Sequence, residues 1–577
     1  MLQKCFLILF LILIIFGWPQ SVQAIVDPLS SPNNRFGIHI IGANKDEASP
    51  AATLVNSSGG DWGYITVLVE SKNRNQEMWQ LFFDDLRRRH IIPIVRLATQ
   101  PQGPPAGGWK LPYEGEERAW ADFLDNLVWP VKNRYIIIYN EPNQGQEWAG
   151  RVDAKTYAQV LDKTIDALKK KNSDFFVLNA GLDASAPDKL PLFQDEAIFL
   201  KQMEEAVPGI FKKLDGWVSH SYPNPGFIGS PDDFGRGTVR TWAWELEELK
   251  KLGVVKNLPV FISETGWKHA EGINFDKSLP SVETVAQYFT QAFRGAWVNS
   301  QIVAVTPFLL NYQEAPFDHF SFKKVTGEKQ NPKILGASFP DYYSSYQTVR
   351  DLPKVSGRPM QENKAEFTRG NIYKTLVSGE NYTIPLTFKN TGQSIWNEYE
   401  GVEIRAIGGG KELAIEPVKL FGKVEPGQET IFKLHLKTPI SGSYKIVLQL
   451  FEGNKSFDQK PWEFNIEVKS PVILFISAGL KWKKDFAGEY FLQVISDVIT
   501  SITKVVLDNN GKSQELEARY LLPDYGFNFT LYKPFYKPKT LEATLKSGVN
   551  ELNFGELQPD FFSALFKPRE FLKLLPF

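Results

Sequence analysis

Cysteine is almost absent from this sequence of 577 residues. The only one, Cys5, lies in the first 24 residues, so a chain without that segment has no thiol. Disulfide bonds, thiolate metal sites and cysteine nucleophiles are therefore excluded from the remainder of the chain. An excess of one charge sign is also lacking, because 65 basic side chains balance 66 acidic ones. This balance argues against nucleic acid as a partner, since a general nucleic-acid binder needs basic charge to displace phosphate counterions.

Long apolar runs are also rare. The most prominent one, residues 5–18, lies close to the start of the sequence. Lys4 precedes it and Ser21-Val22-Gln23-Ala24 follows it, which is the arrangement of a secretory signal peptide over residues 1–24. We expect cleavage after Ala24, because so short a run does not reach the roughly 20 residues that span a bilayer. An uncleaved anchor is the alternative. The cleaved chain is expected to have no membrane span and to be secreted, either free or associated with the cell surface.

The length allows about three to five domains, at roughly 100 to 200 residues each. Residues 36–310 alternate short apolar runs with segments of helical period, as βα units around a parallel sheet do. We predict a (β/α)8 TIM barrel over residues 25–355, with an open doubly wound sheet as the competing α/β architecture. The eight runs that we expect to be strands are residues 36–40, 64–69, 91–97, 135–139, 175–178, 216–219, 260–263 and 303–310.

Helical periodicity stops near residue 355, where proline, glycine and serine interrupt the pattern. Short alternating strands separated by turns follow, which favours two β-sandwich-like domains, residues 360–470 and 471–577. The first of these resembles the immunoglobulin-like next-to-breast-cancer-protein central domain. The residues that carry this resemblance are Asn390-Thr-Gly392 with Trp396, Val424-Glu-Pro-Gly427, Pro439 before Gly442-Ser-Tyr444, and Trp462 before Phe464.

Two carboxylates follow apolar runs, at the point where a barrel enzyme places its reactive groups. Run four is followed by Asn140-Glu141, and run seven by Glu264. Strands four and seven of an eight-stranded barrel lie across its mouth from each other, so we expect the two carboxyl groups to converge. A pair at about 5 to 5.5 Å can act as acid/base and nucleophile in a double-displacement glycosidase.

These motifs resemble those of the retaining (β/α)8 glycoside hydrolases of the cellulase-like clan, over roughly residues 30–350. The resemblance implies that Glu141 is the acid/base, that Glu264 is the nucleophile and that Asn140 donates to a sugar hydroxyl. Run six is followed by His220-Ser-Tyr222, similar to a clan motif whose tyrosine holds the nucleophile. The resemblance therefore implies substrate contact for His220 and Tyr222, although a histidine alone is equally compatible with a core position.

Further candidates for substrate binding stand at other strand ends. Arg96 closes run three and His39 closes run one, where His39 either contacts substrate or caps the barrel floor. The clan commonly carries a tryptophan platform after strand eight, but this chain has Phe308 there. We therefore expect Trp267 and Trp148 to replace it. No histidine and carboxylate cluster has metal-ligand spacing in the sequence, so no cofactor or metal is expected.

The leading hypothesis is a secreted retaining glycoside hydrolase that degrades a β-linked polysaccharide or oligosaccharide. A carbohydrate-binding surface protein without turnover is the first alternative, and the presence of both glutamates argues against it. A transglycosylase with the same residues is the second, and the sequence does not separate it from a hydrolase. The β domains are expected to contact glycan or the cell envelope.

Overall fold

The computed structural model describes residues 25–103, 107–325, 341–370, 374–497 and 499–573. The predicted signal peptide, residues 1–24, lies outside this range. The chain divides into two compact units between Glu362 and Asn363. A search of the described residues for a helix long and apolar enough to cross a membrane found none.

Parallel strands form the centre of the first unit, and each overlaps one of the predicted apolar runs. Several of them are buried at every residue, as expected of parallel strands that are covered on both faces. The described part of this unit contains eight strands: β1 Gly37–Ile40, β2 Gly63–Glu70, β3 Ile91–Ala98, β4 Arg134–Ile137, β5 Phe175–Leu178, β6 Trp217–His220, β7 Val260–Glu264 and β8 Ile302–Val305.

These strands pair in chain order. Strands β1 to β5 form one sheet and β6 to β8 form another. Isolated parallel bridges continue the pairing between the sheets, from Leu178 to Gly216 and from Phe36 to Val305. The first bridge joins β5 to the start of β6, and the second joins the start of β1 to the end of β8. Because all pairs are parallel, the carboxyl ends of the strands lie at one end of the unit.

Helices follow the strands along the chain. Asp153 caps the helix predicted after run four, because its side chain accepts a hydrogen bond from the Thr156 backbone N–H at 2.9 Å. The helix that follows β7 ends at Arg294, where Gly295 forms the C-cap. The described helices are α1 Lys45–Asn56, α2 Gln76–Arg88, α3 Glu116–Asp125, α4 Ala154–Lys171, α5 Glu196–Ala206, α6 Thr241–Lys251, α7 Val282–Arg294 and α8 Ser344–Asp351, with 3-10 turns at Gly145–Glu147, Ile210–Lys213 and Asp318–Phe320.

The core of this unit has two layers, because successive strand residues point to opposite faces. On β2, Ile65, Val67 and Val69 belong to the layer between strands and helices. Tyr64 belongs instead to the inner layer. Residues of the other strands make up most of this layer. The two layers fix the strands from both sides, so the loops at their carboxyl ends start from rigid positions.

The second unit consists mostly of strands. The described ones are β9 Ala365–Gly370, β10 Thr375–Val377, β11 Asn381–Asn390, β12 Trp396–Asn397, β13 Val402–Gly408, β14 Val418–Lys419, β15 Lys423–Val424, β16 Glu429–Lys437, β17 Gly442–Glu452, β18 Lys455–Ser456, β19 Trp462–Lys469, β20 Val472–Leu480, β21 Gly488–Ile495, β22 Thr500–Leu507, β23 Leu516–Ala518, β24 Gly526–Tyr532, β25 Lys539–Thr544 and β26 Gly548–Leu557. A 3-10 turn at Glu398–Glu400 and two short helices, α9 Phe561–Phe566 and α10 Pro568–Leu572, complete it.

Two separate clusters of buried side chains lie within the second unit. One draws on β11 and β16 of a three-stranded sheet and on β13, β17 and β19 of a larger one. The other draws on β20 and β26 of one sheet and on β21 and β24 of another. The division of this unit into domains 360–470 and 471–577, and the immunoglobulin-like character of the first, stay predictions.

Candidate active site

The strand ends bring the predicted site residues to one end of the first unit. His220 and Glu264 are the last residues of β6 and β7, and Asn140-Glu141 follows β4. One ligating atom each of Glu141, His220 and Glu264 lies within 4.8 Å of the other two. Two carboxylates that are 123 positions apart in sequence therefore share one pocket with an imidazole.

Glu264 is nearly buried and is surrounded by groups that favour its charged form. The Tyr222 hydroxyl donates a hydrogen bond to Glu264 Oε2 at 3.1 Å. His39 Nε2 lies 3.6 Å and Arg96 Nη1 3.8 Å from Glu264 Oε1, and His220 Nδ1 lies 3.9 Å from Oε2. Burial is the largest influence and raises the pKa of Glu264, but the charges of His220 and Arg96 together with the Tyr222 hydrogen bond outweigh it and lower the pKa below its ordinary value. Glu264 is therefore ionised at neutral pH.

Glu141 lies in the opposite electrostatic environment. Burial, followed by repulsion from Glu264 and Asp183, raises its pKa, although the hydrogen bond and charge of His220 oppose the shift. Its Oε1 lies 2.8 Å from His220 Nδ1, and its Oε2 accepts a hydrogen bond from Gln144 Nε2 at 2.8 Å. Glu141 therefore keeps its proton to a higher pH than an ordinary glutamate does.

His220 connects the two carboxylates. Burial alone would lower its pKa, but the negative charges of Glu264 and Glu141 raise it above its ordinary value. The pKa values of both Glu141 and His220 are raised. This pair therefore retains a proton to a higher pH than an isolated glutamate does. The imidazole is 1% exposed and holds Glu141, and its contact with substrate stays a prediction.

Gly181 allows this arrangement by lacking a side chain. A Cβ on Gly181 would lie 2.1 Å from His220 Cδ2 and 2.3 Å from Nε2, far inside ordinary contact distance. The Gly181 carbonyl also accepts a hydrogen bond from the Glu141 backbone N–H at 3.0 Å. One glycine therefore positions both members of the Glu141 and His220 pair.

His39 lies 3.6 Å from Glu264 and is fully buried, and both alternatives for it, substrate contact and capping of the barrel floor, stay predictions. Among the described residues, neither ring nitrogen has a hydrogen-bond partner. Burial, only partly opposed by Glu264, lowers the pKa of His39 to about 3, so the ring is neutral at neutral pH. Its ring edge packs against Phe308 at 5.2 Å between centroids.

The two predicted tryptophan platforms, Trp267 and Trp148, are each 1% exposed. Their contact with a sugar stays a prediction. Trp267 donates its Nε1–H to the Gly229 carbonyl at 2.8 Å and packs on Phe289 in the core. Trp148 turns inward in the same way and packs on Tyr157 at 5.4 Å.

Aromatic rings cover the side of the pocket next to Tyr222. Phe308 is mostly buried within this cluster, with Phe317 at 5.3 Å and Phe320 at 5.7 Å between ring centroids. Phe317 is 40% exposed, so it presents a ring to solvent from the loop that follows β8. The loop sequence gave no signal for this position, because one phenylalanine in a loop does not reveal which way it points.

Glu147 is a third carboxylate that the sequence did not single out. It lies in the same loop as Glu141, half-buried at the end of the 3-10 turn. Burial, followed by the charge of Glu141, raises its pKa to about 7, against the opposing effects of Arg96 and the Asn140 side chain. Asn140 therefore contacts Glu147, and Arg96 acts on both Glu147 and Glu264. The roles of Asn140 and Arg96 toward substrate stay predictions.

A pair of buried carboxyl groups lies behind the site. Glu196 and Glu245 are both fully buried, and Glu245 Oε2 accepts a hydrogen bond from Trp217 Nε1 at 3.0 Å. Burial, followed by repulsion from Glu245, raises the pKa of Glu196 well above its ordinary value. The pair is therefore stable in the fold only while it retains a proton.

The donor set of Glu141, His220 and Glu264 could also ligate a divalent cation. However, Arg96 already supplies positive charge to Glu264 and lies within 4 Å of it.

No protein-family model matches this sequence, and no curated protein is significantly similar to it. Solved structures that resemble the chain include a family 39 glycoside hydrolase from Bacteroides cellulosilyticus WH2, at 16% identity and a TM-score of 0.37, covering 72% of this chain and 82% of that one. AbfB, a family 51 α-L-arabinofuranosidase from Bifidobacterium longum, matches at 11% identity and a TM-score of 0.37, covering 86% and 96%. The family 30 subfamily 8 xylanase Xyn30A from Clostridium acetobutylicum matches at 11% and 0.32, covering 86% and 98%. TM-scores this low do not establish a shared fold, so the evidence for function is the geometry of the site.

Proposed function

We propose that this protein is a retaining glycoside hydrolase whose first unit is a (β/α)8 barrel. The barrel is supported by strands that pair in parallel in chain order and by the bridges that link the edges of the two sheets. The site lies where such a barrel carries its chemistry, at the carboxyl ends of the strands.

The separation of the two carboxylates is the observation that carries the proposal. Oxygens of Glu141 and Glu264 lie within 4.8 Å of each other. Retaining glycosidases hold their carboxyl groups about 5 to 5.5 Å apart, whereas inverting ones need about 6.5 to 9.5 Å to leave room for a water. The pair is therefore too close for direct attack by water between the carboxylates, which favours double displacement.

The opposite pKa shifts assign the two roles. Ionised Glu264 attacks the anomeric carbon while protonated Glu141 gives its proton to the departing glycosidic oxygen, so the glycosidic bond breaks as the bond to Glu264 forms. Esterification removes the negative charge of Glu264, which lowers the pKa of Glu141. Glu141 then deprotonates a water that displaces Glu264, and the anomeric configuration is retained.

The substrate is a β-linked polysaccharide or oligosaccharide. We propose that Asn140, which directly precedes Glu141, meets a hydroxyl of the sugar beside the reacting carbon, and that Phe317, which is 40% exposed, offers a ring to the sugar. Secretion, predicted from residues 1–24, fits a substrate that lies outside the cell. The β strands of the second unit are proposed to contact glycan or the cell envelope.

A screen of polysaccharides and aryl glycosides with the parent chain, Glu141→Gln and Glu264→Gln tests the proposal. Glu264→Gln is expected to abolish turnover, and Glu141→Gln to lower it by about 10² to 10⁴-fold on substrates with poor leaving groups. Glu283→Gln, on the exposed face of α7, is the matched control and should retain full activity.

Proton NMR of the first product separates the mechanisms. Retained configuration is expected, and a first product of inverted configuration would contradict the double displacement. Equal turnover in the parent chain and in both site variants would rule out this site altogether. Longer saccharides formed at high substrate concentration would identify a transglycosylase that uses the same residues.

A further inference from the structure

An exposed apolar patch with a basic border lies at the end of the second unit. Five phenylalanine and leucine side chains on its two short helices are each between 60% and 76% exposed. They are Phe561, Phe562, Leu565 and Phe566 on α9 and Leu572 on α10. We call these five residues the apolar patch. Side chains of this kind are normally buried, and a concentration of exposed ones marks a surface for interaction.

Aromatic rings pack against the apolar patch and hold it on the folded unit. Phe571 is 5% exposed and packs on Phe561 at 5.8 Å between ring centroids. Trp482, in the turn after β20, packs on the other side of Phe561 at 5.7 Å. Asp560 caps α9 by accepting a hydrogen bond from the Phe562 backbone N–H at 3.2 Å. The exposure of the patch is therefore a property of the folded unit.

Basic side chains surround the patch. Lys567, Arg569 and Lys573 are exposed on and after the two helices. The turn that carries Trp482 adds a second group, in which Lys483 Nζ reaches the Lys573 carbonyl at 3.0 Å. Along these two segments the basic residues are Lys481, Lys483, Lys484, Lys567, Arg569 and Lys573, against the acids Asp485, Asp560 and Glu570.

We propose that this patch docks the protein on an anionic lipid surface. Aromatic and leucine side chains enter the boundary between headgroups and acyl chains, while lysine and arginine meet the anionic headgroups, so the two attractions act together. The helices, of six and five residues, are far shorter than the roughly 20 residues that cross a bilayer, so they would lie on such a surface.

The positive charge of the border distinguishes a lipid surface from a second copy of the chain as the partner of the apolar patch. A two-fold interface between copies places the same patch on both sides, so the basic border of one copy would face that of the other. Such a contact repels itself, whereas an anionic membrane neutralises the same charges. The complementarity therefore favours lipid as the occupant.

Co-sedimentation of the full chain with vesicles tests the proposal. Binding is expected with vesicles that contain phosphatidylglycerol and not with pure phosphatidylcholine, and it should weaken as salt is raised. The combined variant Phe562→Ser, Leu565→Ser and Phe566→Ser is expected to lose at least tenfold in binding. Reversal of charge by Lys567→Glu with Arg569→Glu is expected to lose about tenfold or more at low salt.

The matched control is Phe421→Ser with Ile440→Ser, which removes two other strongly exposed apolar side chains from the same unit. This control should bind vesicles as the parent chain does. Equal loss in the control, or no binding of the parent to phosphatidylglycerol vesicles, would overturn the proposal. Sedimentation velocity would also overturn it if the serine variants abolished self-association and left vesicle binding unchanged.

Discussion

Replacement of Gly181 by alanine tests the geometry of the site without any knowledge of the substrate. The added Cβ would stand 2.1 Å from Cδ2 and 2.7 Å from Cγ of the His220 ring. Ordinary van der Waals contact begins near 3.5 Å, so the ring must move by more than an ångström. That movement breaks the 2.8 Å contact between His220 Nδ1 and Glu141 Oε1.

The magnitude follows from two known effects. Overpacking of a tight interior costs about 1 to 3 kcal/mol, and a hydrogen bond to a charged group contributes about 1.5 to 3 kcal/mol. For a unit of this size each kcal/mol corresponds to about 1 to 2 °C in the thermal midpoint. Together the two effects amount to about 2.5 to 6 kcal/mol, so we expect Gly181→Ala to lower the midpoint of the first unit by about 2.5 to 12 °C.

Differential scanning calorimetry of a double-mutant cycle with His220→Ala isolates the contact. Once the imidazole is gone, the methyl group at position 181 fills part of the space that the ring occupied. Gly181→Ala should therefore cost little or nothing in the His220→Ala background. An equal loss in both backgrounds would refute the reasoning, because the clash would then lie with another group.

Three further predictions concern pH and charge. Tyr222→Phe keeps the ring but removes a hydrogen bond to a charged group that contributes about 1.5 to 3 kcal/mol, so kcat/KM should fall about 10- to 150-fold. The pKa of Glu264 should rise, and the acidic limb of the pH–rate profile should move to higher pH. Glu147→Gln removes a negative charge near Glu141, so the basic limb should move to lower pH, and an unmoved limb would contradict the electrostatic coupling. Burial raises the pKa of Glu196 in the folded state. Protonation of Glu196 therefore stabilises the fold fully below the ordinary glutamate pKa, and this stabilisation is lost as pH rises through the raised pKa. Glu196→Gln should therefore show a smaller drop in thermal midpoint between pH 5 and pH 9 than the parent chain, and equal drops would contradict this.

The positions of the strands were predictable from the sequence because burial leaves a local pattern. Runs such as residues 175–178 are apolar throughout, and Phe175–Leu178 is indeed a strand buried at every residue. The convergence of Glu141 and Glu264 followed from parallel strands, whose carboxyl ends meet at one end of a sheet. Run eight was predicted too long, since β8 ends at Val305 and the apolar residues beyond it line a loop.

Side-chain direction within loops was not predictable, because no periodicity governs it. Trp267 and Trp148 follow strands as a sugar platform would, yet both turn inward to fill the core. Glu147 gave no signal either, since its raised pKa depends on burial and on Glu141 in the folded loop. Similarly, the need for glycine at position 181 arises only from an imidazole that is 39 residues away in the chain.

Mass spectrometry of a trapped intermediate tests the central claim most directly. A 2-deoxy-2-fluoro glycoside with a good leaving group, of the sugar identified by the substrate screen, should accumulate a covalent glycosyl-enzyme. Peptide mapping is expected to find one sugar attached to Glu264 and none in the Glu264→Gln variant. A label on Glu141, or turnover of the parent chain by inversion without any covalent adduct, would contradict the assignment of Glu264 as nucleophile and Glu141 as acid/base.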